Sequence, residues 1–553
     1  MAFTASPMHL NGPDRFLSVN HEGVRYIQPI RANQQGPTQS TKSPSPSFKN
    51  DSALTEVHIQ KSCDNVEVMG ACWGTPDDDE GAEGGEGASA LCVPEVVHPC
   101  VVDALVREML ALIASFVATD EESPIPLVKL HGIADKEDGW IQVVTSMVRV
   151  IPLEDTCGPS AIYVLFDECP LPSCKSVIKL IQILNLCSDR ANADDINLRF
   201  ERNICVVLGC IAEKLAGPSS RAVLTPGTLD YLITILQTKK DPQIVLYALV
   251  ALEKYAHTLE LKISIKNRIE REEENPFLPL ESHIHDEDLT WRQVGFCAQW
   301  ILDNTFIIEG RTLSYELQDM GNRNVILNSR DVSEYLKISS DGLEARCDSY
   351  SFESVRSTFQ VDSGAWYYEV KIITTGVMQI GFATKNSSFL NHEGYGIGDD
   401  LYSLAYDGCR KLVWYSAHAI AVNEIPAWKP GDILGCYIDL DSKEVVFSLN
   451  GVEIRACRQL FNTTRRGFFA AASFMAFQQC RFNFGDEPFI YPPENRPYCV
   501  FNDHAYLSEE EKWTLPRRFI FDELYASPGR EDSTCSLCCD RSPECILVPC
   551  MHK

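Results

Sequence analysis

Between residues 96 and 310 apolar residues recur three and four positions apart, with proline or glycine at the breaks. That spacing puts the apolar side chains on one face of each of a series of helices. A weak internal echo runs through the region. The stretch 203–215 (NICVVLGCIAEKL) resembles 243–255 (QIVLYALVALEKY), with Glu213-Lys214 and Glu253-Lys254 forty apart (253 − 213), and 293–306 fits at a longer spacing. A period near forty suits stacked helix pairs of armadillo or HEAT type, with an irregular helical bundle as the alternative. The acidic run 270–274 before Pro276 reads as a solvated helix end.

After Arg311 the pattern turns to short strands. The run 366–372 (WYYEVKI) is aromatic and branched, 378–383 (MQIGFA) alternates less cleanly, and 433–440, 444–449, 467–477 and 479–484 follow. Asp441-Ser442-Lys443 and Asn450-Gly451 supply tight turns, the latter because both residues tolerate positive φ. Many short strands with turn chemistry between them predict a sandwich or barrel. Ser508-Glu509-Glu510-Glu511 has the spacing of a capping box and predicts a short helix, stopped early by Pro516. Residues 1–95 are rich in Pro, Ser, Gln and Asn, with Asp77-Asp78-Asp79-Glu80 leading into a Gly/Glu stretch. They are expected to be disordered, the acidic run being a solvated segment rather than a docking tail.

Composition narrows the picture. At 553 residues the chain is too long for one core. Lys and Arg number 49 against 77 Asp and Glu, a net −28, and a surface that acidic repels nucleic-acid backbones. Met1 to Asn20 is interrupted by Pro7, Pro13, Asp14 and Arg15, unlike a signal peptide, and no stretch approaches the length of a membrane span. A cytoplasmic protein with neither nucleic-acid nor membrane partners is expected. Most of the 22 cysteines stand singly in apolar runs, as buried reduced thiols do, but five fall within the last nineteen residues.

Seven ordered motifs resemble the SPRY domain: Ser363-Gly364-Ala365-Trp366-Tyr367-Tyr368-Glu369-Val370, Gln379-Ile380-Gly381-Phe382-Ala383, Gly396-Ile397-Gly398-Asp399-Asp400, Tyr406-Asp407-Gly408, Trp428-Lys429-Pro430-Gly431-Asp432, Phe447-Ser448-Leu449-Asn450-Gly451 and Phe482-Asn483-Phe484-Gly485. The resemblance implies a protein-recognition module whose loops bind a partner. Strand spacing makes 345–356, 386–395 and 415–424 the candidate loops, and Tyr395, Tyr415 and Trp428 are each either a partner anchor or a core residue. His392 and His418 stand alone in loops and read as structural.

Cys535-Ser536-Leu537-Cys538, followed by Cys550-Met551-His552, matches the first half of a RING finger. Two thiolates three apart can share one zinc, and four N or S donors close its tetrahedron. A thioredoxin-like redox reading of CxxC wants a βαβ unit, and none surrounds it. Helices, SPRY motifs and this tail together resemble the RING finger and SPRY domain-containing protein family. That resemblance implies Zn2+ as cofactor, Cys535 and Cys538 at one site, Cys550 and His552 at the other, and Leu537 facing a ubiquitin-conjugating enzyme. Met551 stands where many RINGs have glycine. Each site has two of its four ligands before Lys553, so this tail is expected to stay unfolded and this chain to be inactive alone. One zinc held by all four residues is the alternative, with Cys539 and Cys545 as bystanders.

The expected fold is multidomain α plus β: residues 1–95 disordered, 96–310 helical and armadillo- or HEAT-like, 311–486 a SPRY β-sandwich, 487–534 a linker with a short helix, and 535–553 a truncated RING. The expected function is a RING-type E3 ubiquitin ligase recruiting a protein substrate through SPRY and a conjugating enzyme through the RING. It would have no nucleophile of its own and act by proximity. The alternative is a non-enzymatic scaffold; a secreted disulfide protein is disfavoured by the N-terminus.

Overall fold

The computed structural model describes residues 17–19, 25–27, 97–113, 124–193, 197–215, 218–238, 241–389, 394–454, 457–462, 464, 467–508 and 511–512. The chain divides into two units, residues 1–77 and 78–553. In the first, β1 (Leu17–Val19) pairs antiparallel with β2 (Arg25–Ile27), Leu17 opposite Ile27. This pair departs from the disorder expected of 1–95, and its branched and aromatic residues are strand formers. The rest of 1–95 lies outside the described residues.

The second unit begins with helices: α1 (Pro99–Ile113), α2 (Ile125–Ala134), α3 (Glu137–Val150), α4 (Gly158–Glu168), α5 (Cys174–Leu184), α6 (Ser188–Asn192) and α7 (Leu198–Lys214). They continue as α8 (Pro218–Val223), α9 (Pro226–Thr238), α10 (Pro242–Tyr255), α11 (Leu259–Ile269), α12 (Leu278–Glu281) and α13 (Leu289–Asn304). Short polar side chains start them by accepting orphan N–H groups: Asn197 from Phe200, Asp241 from Gln243 and Ile244, Asp288 from Thr290 and Trp291. The three echoing stretches of sequence are α7, α10 and α13, and α10 packs between the other two. Every residue of α10 from Ile244 to Tyr255 is buried.

The strands are β3 (Leu327–Val332), β4 (Leu336–Ile338), β5 (Glu344–Cys347), β6 (Glu353–Val361), β7 (Ala365–Ile372), β8 (Met378–Thr384), β9 (Ser403–Asp407) and β10 (Leu412–Tyr415). After them come β11 (His418–Ala421), β12 (Ile433–Asp439), β13 (Glu444–Leu449), β14 (Val452–Glu453), β15 (Phe468–Phe474), β16 (Gln479–Asn483) and β17 (Cys499–Val500). One sheet has the order β11-β10-β9-β8-β15-β6-β3 and the other β14-β13-β12-β7-β16-β5-β4, with β17 added parallel to β7. Alternate residues face the core between them: Tyr368, Val370 and Ile372 of β7, Leu434, Cys436 and Ile438 of β12, Phe468, Ala470, Ala472 and Phe474 of β15.

Two expectations are corrected here. Residues 487–507 are part of the sandwich rather than linker. The buried carboxylate of Glu369 accepts the N–H groups of Ile490 and Tyr491 at 2.8 and 2.7 Å, Phe489 and Tyr498 cover Tyr367, and Phe501 and Leu507 enter the core. The segment lacks strand periodicity because most of it covers an outer sheet face and only the two residues of β17 join a ladder. Residues 345–356 are not an exposed loop either. They comprise the end of β5, the start of β6 and a connection that, apart from the exposed Tyr350, is largely buried between sandwich and helices.

That junction is polar and closely paired. Lys337 of β4 meets Glu253 of α10, and its Nζ donates to Asp348 Oδ2 at 2.8 Å. Arg346, with no exposed surface, reaches Asp348 at 2.9 Å, Gln293 of α13 at 2.9 Å and Gln479 at 3.0 Å. Burial opposes charge on Asp348, but Arg346 and Lys337 outweigh it and hold the carboxylate well below its usual range. Beside these ions the β15–β16 connection inserts Phe477 between the edges of Tyr163 and Tyr247, with centroids 5.5 and 5.1 Å away. Phe477 has φ 66°, a left-handed conformation rare for a bulky residue. It counts among the core of the helices, not of the sheets.

Candidate functional site

The helices α1–α13 cover the end bearing the β5–β6 and β15–β16 connections and, among the described residues, leave the opposite end open. There the β8–β9 loop and the β10–β11 turn lie side by side, since Tyr415 pairs with Leu404 and Ser403 with Ala383.

Asp400 organises this end. One carboxylate oxygen accepts the Ser387 hydroxyl at 2.6 Å, and the other accepts Tyr402 N–H at 2.8 Å and the Ser403 hydroxyl at 2.7 Å. Its carbonyl accepts the Ser416 N–H at 3.1 Å, and the Gly398 carbonyl accepts that of Ala417 at 3.0 Å, so the hairpin tip is pinned to the loop. Gly398, at φ 100°, passes so close to Trp414 that a Cβ would lie 2.6 Å from that side chain. Ile397 drops into a small apolar cluster with Ala383, Ala405 and Ala471 on the outer sheet face.

Arg356 of β6 fixes the first half of the loop. Its guanidinium donates to the carbonyls of Thr384 and Ser387 at 3.0 and 2.9 Å and pairs with Asp331 through both Nε and Nη2. It also lies 4.1 Å from the centroid of the Phe389 ring. Asp399 accepts the Gly396 N–H at 2.7 Å, and desolvation pushes its carboxyl up to about 6 despite that bond and the charge of Arg410.

On this fixed backbone stand exposed apolar groups: Tyr395 at 44%, Leu401 at 50% and Tyr402 at 36%. Tyr415, half-buried, stacks on the exposed His418, whose Nδ1 is 2.7 Å from the Ser416 carbonyl. Large amphipathic side chains held by a pre-bonded loop lose little entropy on contact, which favours association with a protein surface.

Tyr415 therefore sits at the open end. Tyr395 stands beside Gly396, which passes so close to Phe352 and Gln379 that a Cβ would lie 2.1 and 2.2 Å from them, where the loop crosses the sheet toward the helix-covered end. Trp428 is not at the open end. It is 2% exposed, its ring meets Tyr406 edge-on, and its Nε1 donates to the Thr375 carbonyl at 3.2 Å. It is a core residue at the other end of the sandwich, because the chain crosses from β11 to β12 there. Leu401 and Tyr402 are added to the site by the structure; their only sequence signal is a pair of large residues following Asp399-Asp400. Cys535, Leu537, Cys538, Cys550 and His552 lie outside the described residues, as does most of 487–534 beyond Ser508. At its edge Ser508 and Glu511 make the reciprocal bonds of a capping box, at 2.8–3.3 Å. Among the described residues no group of three or more His, Cys, Asp or Glu is placed to hold a metal ion. Nor, among them, is any helix long and apolar enough to cross a membrane.

Residues 365–487 match the family model of the SPRY domain. The E3 ubiquitin-protein ligase RKP of Arabidopsis thaliana is 36% identical over 146 residues, covering 26% of this chain and 11% of that protein. The ATP-dependent RNA helicase DDX1 of Xenopus laevis is 28% identical over 170 residues, 31% of this chain and 22% of the helicase. The probable ATP-dependent RNA helicase ddx1 of Dictyostelium discoideum is 30% identical over 174 residues, 32% and 21%. The chain thus spans 11–22% of the length of these relatives. Among solved structures, the SPRY domain of human HERC1 is 12% identical with a TM-score of 0.25, covering 28% of this chain and 96% of that one. The TRIM65 PSpry domain is 15% identical, also at 0.25, covering 32% and 99%. A SPRY domain binds protein partners, and this chain contains one.

Proposed function

We propose that this chain is the substrate-recruiting body of a RING-type E3 ubiquitin ligase, with the open end of its SPRY sandwich as the capture surface. The observation that carries the recognition half is the set of exposed or half-buried Leu401, Tyr402, Tyr415 and His418 on the pinned loop and turn opposite the end that the helices cover, with Tyr395 a separate exposed anchor on the same loop. The ligase half rests on Cys535, Cys538, Cys550 and His552, and on the name of a relative matching over 146 residues. In this reading those four residues are ligands of a zinc-bound finger, Leu537 faces a ubiquitin-conjugating enzyme, and the helices form a short armadillo-like stack carrying the sandwich. The protein works in the cytoplasm. Transfer follows from proximity: the captured lysine and the charged thioester are held together.

Proteins named as a ligase and as a helicase are each similar to a stretch of this chain, which fits a recognition role better than any one chemistry. This keeps a second reading in play, a scaffold that binds partners and transfers nothing.

Two measurements separate the pieces. Proximity labelling compares the native chain with a Leu401→Ala, Tyr402→Ala, Tyr415→Ala variant of equal melting temperature. Partners labelled by the first should be lost by the second, each truncation weakening binding about tenfold. Unchanged labelling would remove the open end as the capture surface. Autoubiquitination with a panel of conjugating enzymes, in the natural full-length protein, tests the rest. Activity abolished by Cys535→Ser supports the ligase; inactivity across the panel leaves the scaffold.

A further inference from the structure

His98 and Cys100 stand together on the surface where α1 begins. Both are exposed, and the Cys100 sulfur lies 2.9 Å from His98 Nδ1. The Cys100 N–H also points at Nδ1, at 3.3 Å. A backbone N–H can only donate, so Nδ1 carries the lone pair of the neutral ring, and the thiol is the donor of the pair. The local fold sets this arrangement. Pro99 fixes φ at the first residue of the helix, the His98 carbonyl accepts the Val101 N–H at 2.9 Å, and the imidazole takes the place of a capping side chain. Just before it, the Val97 carbonyl accepts Gln142 Nε2 of α3 at 2.9 Å, which ties the start of α1 to its neighbour.

Two comparisons within the molecule isolate what the imidazole adds. Burial pushes the thiols of Cys169, Cys210 and Cys297 up to about 12, which suppresses thiolate chemistry. Cys174 is exposed and opens a helix, α5, much as Cys100 stands in the first turn of α1. The side chain capping α5, however, is the Ser173 hydroxyl, which is no base near neutral pH. Of these cysteines Cys100 alone combines access, a helix start and a base within hydrogen-bond reach.

We propose that Cys100 is a modification site, a surface thiol with its own base, whose co-substrate is a small disulfide such as glutathione disulfide. The Cys100 sulfur attacks one sulfur of the disulfide as its proton passes to His98 Nδ1. A bond forms between Cys100 Sγ and glutathione, and the glutathione S–S bond breaks. The expelled glutathione thiolate then takes the proton from the imidazolium. One protein thiol and one glutathione disulfide become one mixed disulfide and one glutathione thiol, and His98 is regenerated. With the sulfur capped, Nδ1 still accepts the Cys100 N–H, so the start of α1 survives the modification. The adduct is carried by the helical layer, so this chemistry stands apart from the capture surface at the open end.

The test uses the full chain, reduced, pulsed with glutathione disulfide, quenched with acid, alkylated, digested and analysed by mass spectrometry. At pH 7 the Cys100 peptide should take up glutathione roughly tenfold faster than the Cys174 peptide. The two rates should converge as pH rises and both thiols ionise without help. His98→Asn keeps a capping acceptor for the Cys100 N–H and removes the base. At an unchanged melting temperature it should bring Cys100 down to the rate of Cys174. Equal rates for the two peptides in the native protein at pH 7 would overturn the proposal. So would a Cys100 that stays fast in His98→Asn, because the helix start alone would then account for its reactivity.

Discussion

Phe477 holds an unfavourable φ because what it touches outweighs the strain. A left-handed phenylalanine costs on the order of 1–3 kcal/mol, and its ring meets Tyr163 and Tyr247 inside the helical core. Phe477→Ala should therefore destabilise the protein by about 3–5 kcal/mol, read from chemical denaturation. Loss below about 1 kcal/mol would mean the ring is not seated there. Asp399 makes a pH prediction. Its carboxyl is raised to about 6 in the fold against an ordinary 3.8, so between those values the folded chain holds more proton than the unfolded one. Its contribution is thus favourable below the ordinary value and lost as pH rises through about 6. Asp399→Asn, which keeps an acceptor for Gly396, should raise the melting temperature at pH 7.5 more than at pH 5. An equal rise at both would count against the desolvated carboxyl. Residues also show where sequence stops informing: Trp428 and Tyr395 look alike as aromatic positions beside turns, yet one is 2% and the other 44% exposed. Burial depends on which loop lies over which, and neither loop's length states that.

At the scale of elements, much was legible. Asn450 and Gly451 have φ of 49° and 79°, as the turn chemistry requires, and the strands from 365 to 483 alternate inward and outward as their residues suggest. The echo of 203–215 in 243–255 is physical too. Glu213 pairs with Lys254 of the next helix, while Glu253, its counterpart, pairs with Lys337 of the sandwich. The first Glu-Lys of the echo joins α7 to α10, and the second joins α10 to a strand of the sandwich. The helix starts were legible in part, because Asp241 precedes Pro242. Asp241→Ala should cost α10 about 1 kcal/mol, measurable as a shifted denaturation midpoint with unchanged slope. What could not be read was 487–507, which covers a sheet face through Glu369 and a few aromatics without any period.

For the whole molecule, the junction decides how the parts behave. Lys337, Asp348 and Arg346 are buried ions whose partners come from both sides, and removing one side leaves charge uncompensated. Helices and sandwich should unfold in one transition. A fragment of residues 311–512 should melt lower than the full chain and bind a hydrophobic dye through the uncovered Phe477. Two separate transitions in the full chain, or an equally stable fragment, would show that the layers are independent.

The burial of Phe501 and Leu507 in the sandwich bears on anything joined beyond them. Any tether to a module joined C-terminal to the sandwich would begin beyond Leu507 rather than at residue 487, and would be shorter by the whole of that covering segment. Its effective concentration at a captured partner falls roughly as the −3/2 power of tether length. A stretch that looks like spacer in the sequence thus sets how often the two ends of the protein meet.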